Sequence, residues 1–269
     1  MPPDQTPTAM VGALHKPGDG YVQSFARGLS VLRTFGAERP AQTMAEVAEA
    51  AGLTRAGARR ILLTLQQLGY VSVEGRQFRL APKVLELGFA YVSSLPIWNL
   101  AEPVMEDLAG EIKESCSAAV LDGEDIVYVL RVPTHKILAI NIGIGTRLPA
   151  YCTSMGRVLL AGLSDEAVQA WLQKATMPKR APKTETDPAR LLEIVRQVRQ
   201  QGWCIVSEEL EQGLVSIAAP VIDRAGRVIA AVNVSGQTHR TPPAYMLDVF
   251  LPQLVAAARK ISAMVQARQ

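Results

Sequence analysis

The chain has 269 residues, of which 48% are hydrophobic and 20% charged, and its formal net charge is +3. This length favours two domains that each bury a core, and the composition excludes an intrinsically disordered chain. No apolar run reaches the roughly 18 residues that span a bilayer, so we expect neither a transmembrane segment nor a membrane partner.

Residues 1–20 contain Pro, Gly and Asp but no basic start followed by an apolar core, so they predict a disordered tail and not a signal peptide. The cysteines and histidines are widely spaced and form no C-x-x-C motif: Cys116, Cys152, Cys204, His15, His135 and His239. This spacing favours a reducing cytoplasm and predicts neither a metal site nor a cofactor.

Positive charge is concentrated near the start of the chain. Residues 21–83 hold nine Lys and Arg against four Asp and Glu, whereas the residues from 84 onward hold eighteen against nineteen. A basic module joined to a neutral one is typical of a protein in which one part binds a polyanion, although a solvated basic surface would give the same count.

The basic module, residues 21–81, has the pattern of a winged helix-turn-helix. After Ser24 as a helix cap, apolar residues at helical spacing predict a first helix from Phe25 to Phe35. A capping box at 43–46 starts a second, short helix, and Thr54 caps a third helix that runs to about Leu68. The apolar stripe of the third helix leaves its arginines outside.

In a helix-turn-helix the second helix of the motif enters the major groove. The hairpin that follows, 70–80, predicts a wing with a basic tip that can reach phosphate or the minor groove. We therefore predict these DNA contacts: Arg27, Thr54, Arg55, Arg59, Arg60 and Arg76. The alternative is a module of three helices and a hairpin that contacts only protein.

Residues 82–96 predict a helical linker, which Pro82 opens and Leu95-Pro96 ends. Such a helix could pair with its counterpart in a homodimer. Residues 97–269 contain both helices and strands, and several of the strands are joined by hairpins. One hairpin is predicted to turn at Asp122-Gly123, and a further strand is predicted from Ile137 to Ile144. This order predicts an α+β domain with an antiparallel sheet and helices on its faces.

No phosphate-binding Gly loop, nucleophile elbow or kinase signature occurs in this half, so we predict that the protein is not an enzyme. The catalytic alternative is a hydrolase in which Ser154 or Cys152 is the nucleophile and His135 the base, with the basic module serving only regulation.

From Tyr21 onward the sequence resembles the IclR family of bacterial transcription regulators, most closely the branch that controls aromatic-acid catabolism, including protocatechuate genes. The landmarks occur in order: FARGLSVLRTF, MAEVAEAAGLTRAGARRILLTLQQLGYV, IGTRLPAYCTSMGRVLLA and EELEQGLVSIAAPVIDRAGRVIAAVNVSG. The resemblance implies a winged helix-turn-helix, a helical linker and a GAF-like effector domain, acting as a homodimer or a dimer of dimers on a palindromic operator. It also allows contact with RNA polymerase.

The resemblance implies effector contacts from the loop and helix start at 151–156 and from the last strands: Tyr151, Thr153, Ser154, Met155, Ser207, Glu209, Ser216, Asn233 and Ser235. Because a guanidinium forks a carboxylate, we predict Arg147, ahead of Arg131, as the cationic partner of an aromatic carboxylate, with a surface salt bridge as the alternative. An aliphatic acid is the alternative effector. The recognition helix departs from the family in carrying Ala56-Gly57 where hydroxyl residues precede the arginine.

Overall fold

The computed structural model describes residues 20–94, 97–133 and 142–268, so the predicted tail lies almost wholly outside the described residues. The chain forms two compact units that divide between Tyr91 and Val92. This division falls inside the segment predicted as the linker; the linker boundaries themselves stay a prediction. No described helix is both long and apolar enough to cross a membrane.

The N-terminal unit has the following elements: α1 Gln23–Arg33, β1 Gln42–Thr43, α2 Met44–Ala50, α3 Arg55–Gln67, β2 Val71–Glu74 and β3 Gln77–Leu80. The strands form an antiparallel sheet in the order β1-β3-β2. Its core contains Val31, Val47, Leu62 and Phe78. The predicted winged helix-turn-helix is confirmed.

Local chemistry explains the starts of α2 and α3. Thr43 and Glu46 form the predicted capping box, and the Thr54 hydroxyl accepts a hydrogen bond from the Gly57 N–H at 3.1 Å. The predicted cap of α1 is wrong: the helix begins after Val22, whose side chain caps nothing, and Ser24 lies inside the helix.

A short 3-10 turn at Pro82–Val84 leads into α4, Leu85–Ser94. The C-terminal unit then contains these elements: α5 Ile97–Ile112, β4 Ser115–Asp122, β5 Asp125–Val132, β6 Arg147–Pro149, α6 Ser154–Ala161, α7 Asp165–Lys174, α8 Pro188–Gln201, β7 Cys204–Ser207, β8 Leu214–Ile222, β9 Val228–Gln237, α9 Pro243–Tyr245 and α10 Leu251–Gln266. One π-helical turn, Met246–Phe250, joins α9 to α10.

The six strands form one antiparallel sheet in the order β6-β5-β4-β9-β8-β7. Because side chains alternate along each strand, the sheet separates two cores. One core packs against α5 and α10, and the other packs against α6, α7 and α8. The α+β prediction is confirmed, and the hairpin predicted at Asp122-Gly123 joins β4 to β5.

Most of the strand predicted from Ile137 to Ile144 lies outside the described residues, as does His135. Ile142 to Ile144 are not in a strand. Among the described residues, one edge of the sheet is the short strand β6, which pairs with β5 and leads directly into the turn before α6.

Candidate functional site: a basic recognition helix and a cavity in the C-terminal unit

Helix α3 presents arginines to solvent on the side away from its core. Ala58, Leu62 and Leu65 are buried, while Arg55, Arg59 and Arg60 are exposed. No ion pair within the described part of the chain engages these three guanidinium groups. The helix therefore offers three unpaired positive charges on the surface that a helix-turn-helix directs at DNA.

The other predicted DNA contacts are also exposed. Arg76 stands at the turn of the β2–β3 hairpin, where Gly75 adopts a φ of 62°, and Arg27 lies on α1, which packs against α3. Thr54 is exposed but its oxygen already caps α3. A Cβ at Gly57 would lie 3.2 Å from that oxygen, so glycine keeps the cap uncrowded.

A cavity of about 200 Å³ opens in the C-terminal unit beside the N-terminus of α6. The segment after β7 and the ends of β8 and β9 form its polar side, and Tyr128, Ile142, Leu148 and Met155 form apolar walls. The cavity brings together these predicted effector residues: Thr153, Ser154, Met155, Glu209, Ser216, Asn233 and Ser235.

The turn that leads into α6 is tightly packed. Thr153 caps the helix by accepting from the Gly156 N–H at 3.2 Å, and its hydroxyl donates to the Pro149 carbonyl at 2.9 Å. A Cβ at Gly156 would lie 2.1 Å from the carbonyl oxygen of Ala150, so only glycine fits at this position. Ser154 is held in the cavity wall by a hydrogen bond of 2.9 Å between its Oγ and that of Ser216.

A buried ion pair supports this cavity. Both terminal nitrogens of Arg157 donate to the Glu209 carboxylate, at 2.7 and 2.6 Å, and Arg157 Nε donates to the Tyr151 carbonyl at 2.8 Å. The Glu185 N–H is a further donor to Glu209, at 2.9 Å. The side chains of Arg157 and Glu209 are only 3% and 13% exposed, so the Glu209 carboxylate is fixed in the cavity wall and its charge is neutralised.

Arg157 was not predicted from the sequence. A signal existed, because all eight residues of this short helix are buried, and apart from Ser154 at its start the others are apolar or glycine. A charged side chain in such a stripe requires a partner of opposite charge. Tyr128 was also missed as a cavity residue; burial raises its pKa to about 12, with Arg131 opposing, so it presents a neutral phenol.

The loop between β7 and β8 forms the rim of the cavity. Glu208 adopts a φ of 59°, a left-handed conformation that is uncommon for a residue with a side chain. Its carboxylate pairs with Lys183 and accepts from the Gly213 N–H at 3.1 Å. Both bonds lower the pKa of Glu208, and the bond to Lys183 has the larger effect. The carboxylate is therefore ionised and fixes the loop.

Four residues that were predicted to contact the effector do not line the cavity. Arg147 is 46% exposed on β6, where it forms surface salt bridges, donating to Asp122 at 2.6 Å and to Asp125 at 3.1 Å. Tyr151 is buried and its hydroxyl donates to the Pro178 carbonyl. Ser207 follows Val206 on β7 and therefore points to the opposite face of the sheet from that cavity residue. Arg131 is half-buried on β5, also outside the lining.

The cavity lining therefore contains no lysine or arginine among the described residues, and its ionisable groups are carboxylates, one histidine, Tyr128 and Cys152. Burial raises the pKa of Cys152 to about 11, which keeps its thiol neutral at physiological pH. Within the described ranges, no group of three or more His, Cys, Asp and Glu is placed to hold a metal ion.

Two family models match the chain: the IclR helix-turn-helix domain over residues 24–75 and the C-terminal domain of bacterial transcriptional regulator IclR over residues 89–263. The Pca regulon regulatory protein of Pseudomonas putida is 42% identical over 242 residues, which cover 90% of this chain and 83% of that protein. The p-hydroxybenzoate hydroxylase transcriptional activator of Acinetobacter baylyi is 36% identical, covering 92% and 93%.

Among solved structures, an IclR homologue from Microbacterium hydrocarbonoxydans complexed with 4-hydroxybenzoate is 26% identical, with a TM-score of 0.80 and coverage of 91% of this chain and 99% of that one. These matches span both units and confirm the resemblance noted in the sequence. The chain belongs to the IclR family of bacterial transcriptional regulators.

Proposed function

We propose that this regulator binds a small aromatic carboxylate in the cavity beside α6 and thereby controls, in the cytoplasm, genes for the catabolism of aromatic compounds. The observation that carries the proposal is the cavity itself, which combines apolar walls with hydroxyl groups at one helix N-terminus. An apolar cavity of about 150 Å³ accommodates benzene, so a cavity of about 200 Å³ has room for one substituted ring. The relatives that regulate Pca and p-hydroxybenzoate genes support this choice.

The carboxylate is held without a lysine or arginine. The first N–H groups of a helix have no partner within the helix and carry partial positive charge, and at α6 these belong to Ser154 and Met155. Within the Ser154–Ser216 pair one hydroxyl donates to the other, so the pair can add one hydrogen bond to the same group. Arg157 pairs with Glu209 and Lys183 pairs with Glu208, which reduces the repulsion of a carboxylate by these two acidic side chains of the wall.

The arginines of α3 carry the affinity for DNA, with Arg76 from the wing. Arg27 and Thr54 also contact the backbone of the operator, which positions α3 without reading its bases. Replacing Arg59 with Ala is expected to weaken promoter binding and to reduce the slope of log K against log salt by about one. The matched control is Arg259→Ala, which removes the same charge from an exposed position on α10. An unchanged slope for Arg59→Ala would remove this residue from the DNA interface.

The protein acts as a homodimer or a dimer of dimers. Its N-terminal unit carries exposed apolar side chains that can form the dimer interface. Phe25 on α1 and Leu85 and Phe89 on α4 are 68%, 74% and 71% exposed. Sedimentation velocity should show a dimer for the natural chain and monomers for the double variant Leu85→Ser, Phe89→Ser. A dimer that survives both substitutions would place the interface elsewhere. Contact with RNA polymerase stays a prediction.

The effector acts through coupling: it binds one arrangement of the effector domains better than another, and this preference shifts the affinity for the operator. A thermal-shift series decides between ligand classes. We expect 4-hydroxybenzoate and 3,4-dihydroxybenzoate to raise the Tm and glyoxylate to leave it unchanged. A rise with glyoxylate alone would favour the aliphatic alternative and refute an aromatic effector.

The cavity binds and does not catalyse. The Ser154 hydroxyl is paired with another serine and the Cys152 thiol is kept neutral, so neither has the activated form that a nucleophile needs. Incubation with phenyl esters of 4-hydroxybenzoate should release no phenol above the rate in buffer. Release that disappears in the variant Ser154→Ala would support the hydrolase alternative.

A further inference from the structure

One buried polar atom in the cavity has an unmet hydrogen-bonding need. Asn233 lies in the middle of β9, between Ser117 of β4 and Ala218 of β8, and is 3% exposed. Its side chain is on the face of the sheet that packs against α6, and it lines the cavity. The amide nitrogen donates to Ser235 Oγ at 3.0 Å, whereas Oδ1 accepts no hydrogen bond from the described residues.

The chemistry of this atom is directional. An amide oxygen can only accept, so it needs a donor. A ligand that leaves this buried acceptor without a donor should bind about five- to 150-fold more weakly than one that supplies it. Carboxylate and ether oxygens cannot supply a donor. A hydroxyl can. Of the buried side-chain atoms that have no partner among the described residues, Asn233 Oδ1 is the one that lines the cavity, and the serines there can either donate or accept, so Asn233 Oδ1 is the atom that discriminates.

We infer that Asn233 selects effectors with a ring hydroxyl, which donates its hydrogen bond to Oδ1 while the carboxylate binds at the start of α6. The inference rests on the proposed function and narrows it from aromatic carboxylates to hydroxylated ones. The two polar regions of the cavity then have opposite requirements: the N–H groups of Ser154 and Met155 need an acceptor, and Asn233 needs a donor.

The test is calorimetric titration of the full chain with pairs of ligands that differ only in the ability to donate. The pairs are 4-hydroxybenzoate with 4-methoxybenzoate and 3-hydroxybenzoate with 3-methoxybenzoate, and benzoate is the unsubstituted reference. The natural protein should bind at least one hydroxy acid about tenfold or more tightly than its methoxy partner. Equal affinities in both pairs would overturn the inference.

Two variants assign the preference to this residue. Asn233→Leu has a similar shape and no acceptor, so its preference for the hydroxy acid should fall to within about twofold. Asn233→Asp keeps an acceptor oxygen and should retain the preference, with weaker binding of every carboxylate because of its charge. The control Ser216→Ala should weaken all ligands alike and leave the ratio unchanged.

Other outcomes are distinguishable. A preference that persists in Asn233→Leu would overturn the role of Asn233 even though aromatic carboxylates bind. Failure of every benzoate to bind the natural protein would refute the proposed function itself. Circular dichroism of each variant checks that it is folded, and if Asn233→Leu is not, Asn233→Ala, which also removes the acceptor, takes its place in the test.

Discussion

The buried pair of Arg157 and Glu209 gives the sharpest prediction about stability. Replacing Arg157 with Met keeps the length of the side chain but leaves the Glu209 carboxylate in a wall where it is only 13% exposed. Removal of one partner of such a pair costs about 3–5 kcal/mol, because an uncompensated charge stays buried. For a unit of this size, each kcal/mol lowers the Tm by about 2–4 °C.

The assay is denaturant unfolding of the full chain, monitored by fluorescence and repeated with calorimetry. The double variant Arg157→Met, Glu209→Gln removes both charges and should recover most of the loss. The matched control is Arg147→Met, which breaks the exposed pairs with Asp122 and Asp125 and should cost less than about 1 kcal/mol for each pair. The reasoning would be refuted if Arg157→Met cost no more than Arg147→Met, or if the double variant were no more stable than the single one.

Three further predictions concern the surroundings of the cavity and the acid stability of the chain. Gly156→Ala should destabilise the C-terminal unit and abolish ligand binding, since its Cβ would lie 2.1 Å from the Ala150 carbonyl oxygen; retention of 4-hydroxybenzoate binding in calorimetry would contradict this. Hydrogen bonds from the backbone and side chain of Arg227 lower the pKa of Asp223, so its stabilising effect is present above the pKa of the unfolded chain and is lost as the pH falls through the folded value. Asp223→Asn should therefore be less stable than the natural protein at pH 7, with the difference shrinking in acid, and a difference that does not vary with pH would refute it. Burial raises the pKa of Cys152 to about 11, so iodoacetamide at pH 8 should modify it far more slowly than in the unfolded protein, and equal rates by mass spectrometry would contradict the burial.

The sequence predicted best those features that depend on neighbours in the chain. Thr43 and Thr54 cap their helices because the groups they bond are three residues away. Ser24 has a suitable side chain but is not the cap, because α1 already begins at Gln23 and Ser24 is its second residue. The preference of a residue type for the cap position does not by itself fix the first residue of a helix, because helix ends vary by one or two residues.

The cavity was partly predictable through the family landmarks, because α6 and β9 carry recognisable segments. The pairing of Arg157 with Glu209 was not, since these residues are far apart in sequence and meet only when β7 and α6 pack on the same face. Arg147 was predicted to bind the effector because a guanidinium can donate two hydrogen bonds to one carboxylate. The register of β6 on β5, which sets Arg147 opposite Val127, instead brings it beside Asp125 and Asp122 at the end of the β4–β5 hairpin.

The central claim is that occupation of the cavity changes the affinity for DNA, and fluorescence anisotropy with labelled DNA from upstream of the gene tests it most directly. Titration with 4-hydroxybenzoate should change the Kd of the natural protein for this DNA by about fivefold or more, in either direction. The double variant Ser154→Ala, Ser216→Ala should show a much smaller change at the same ligand concentration. An unchanged Kd, under conditions where calorimetry shows the cavity to be filled, would contradict the account.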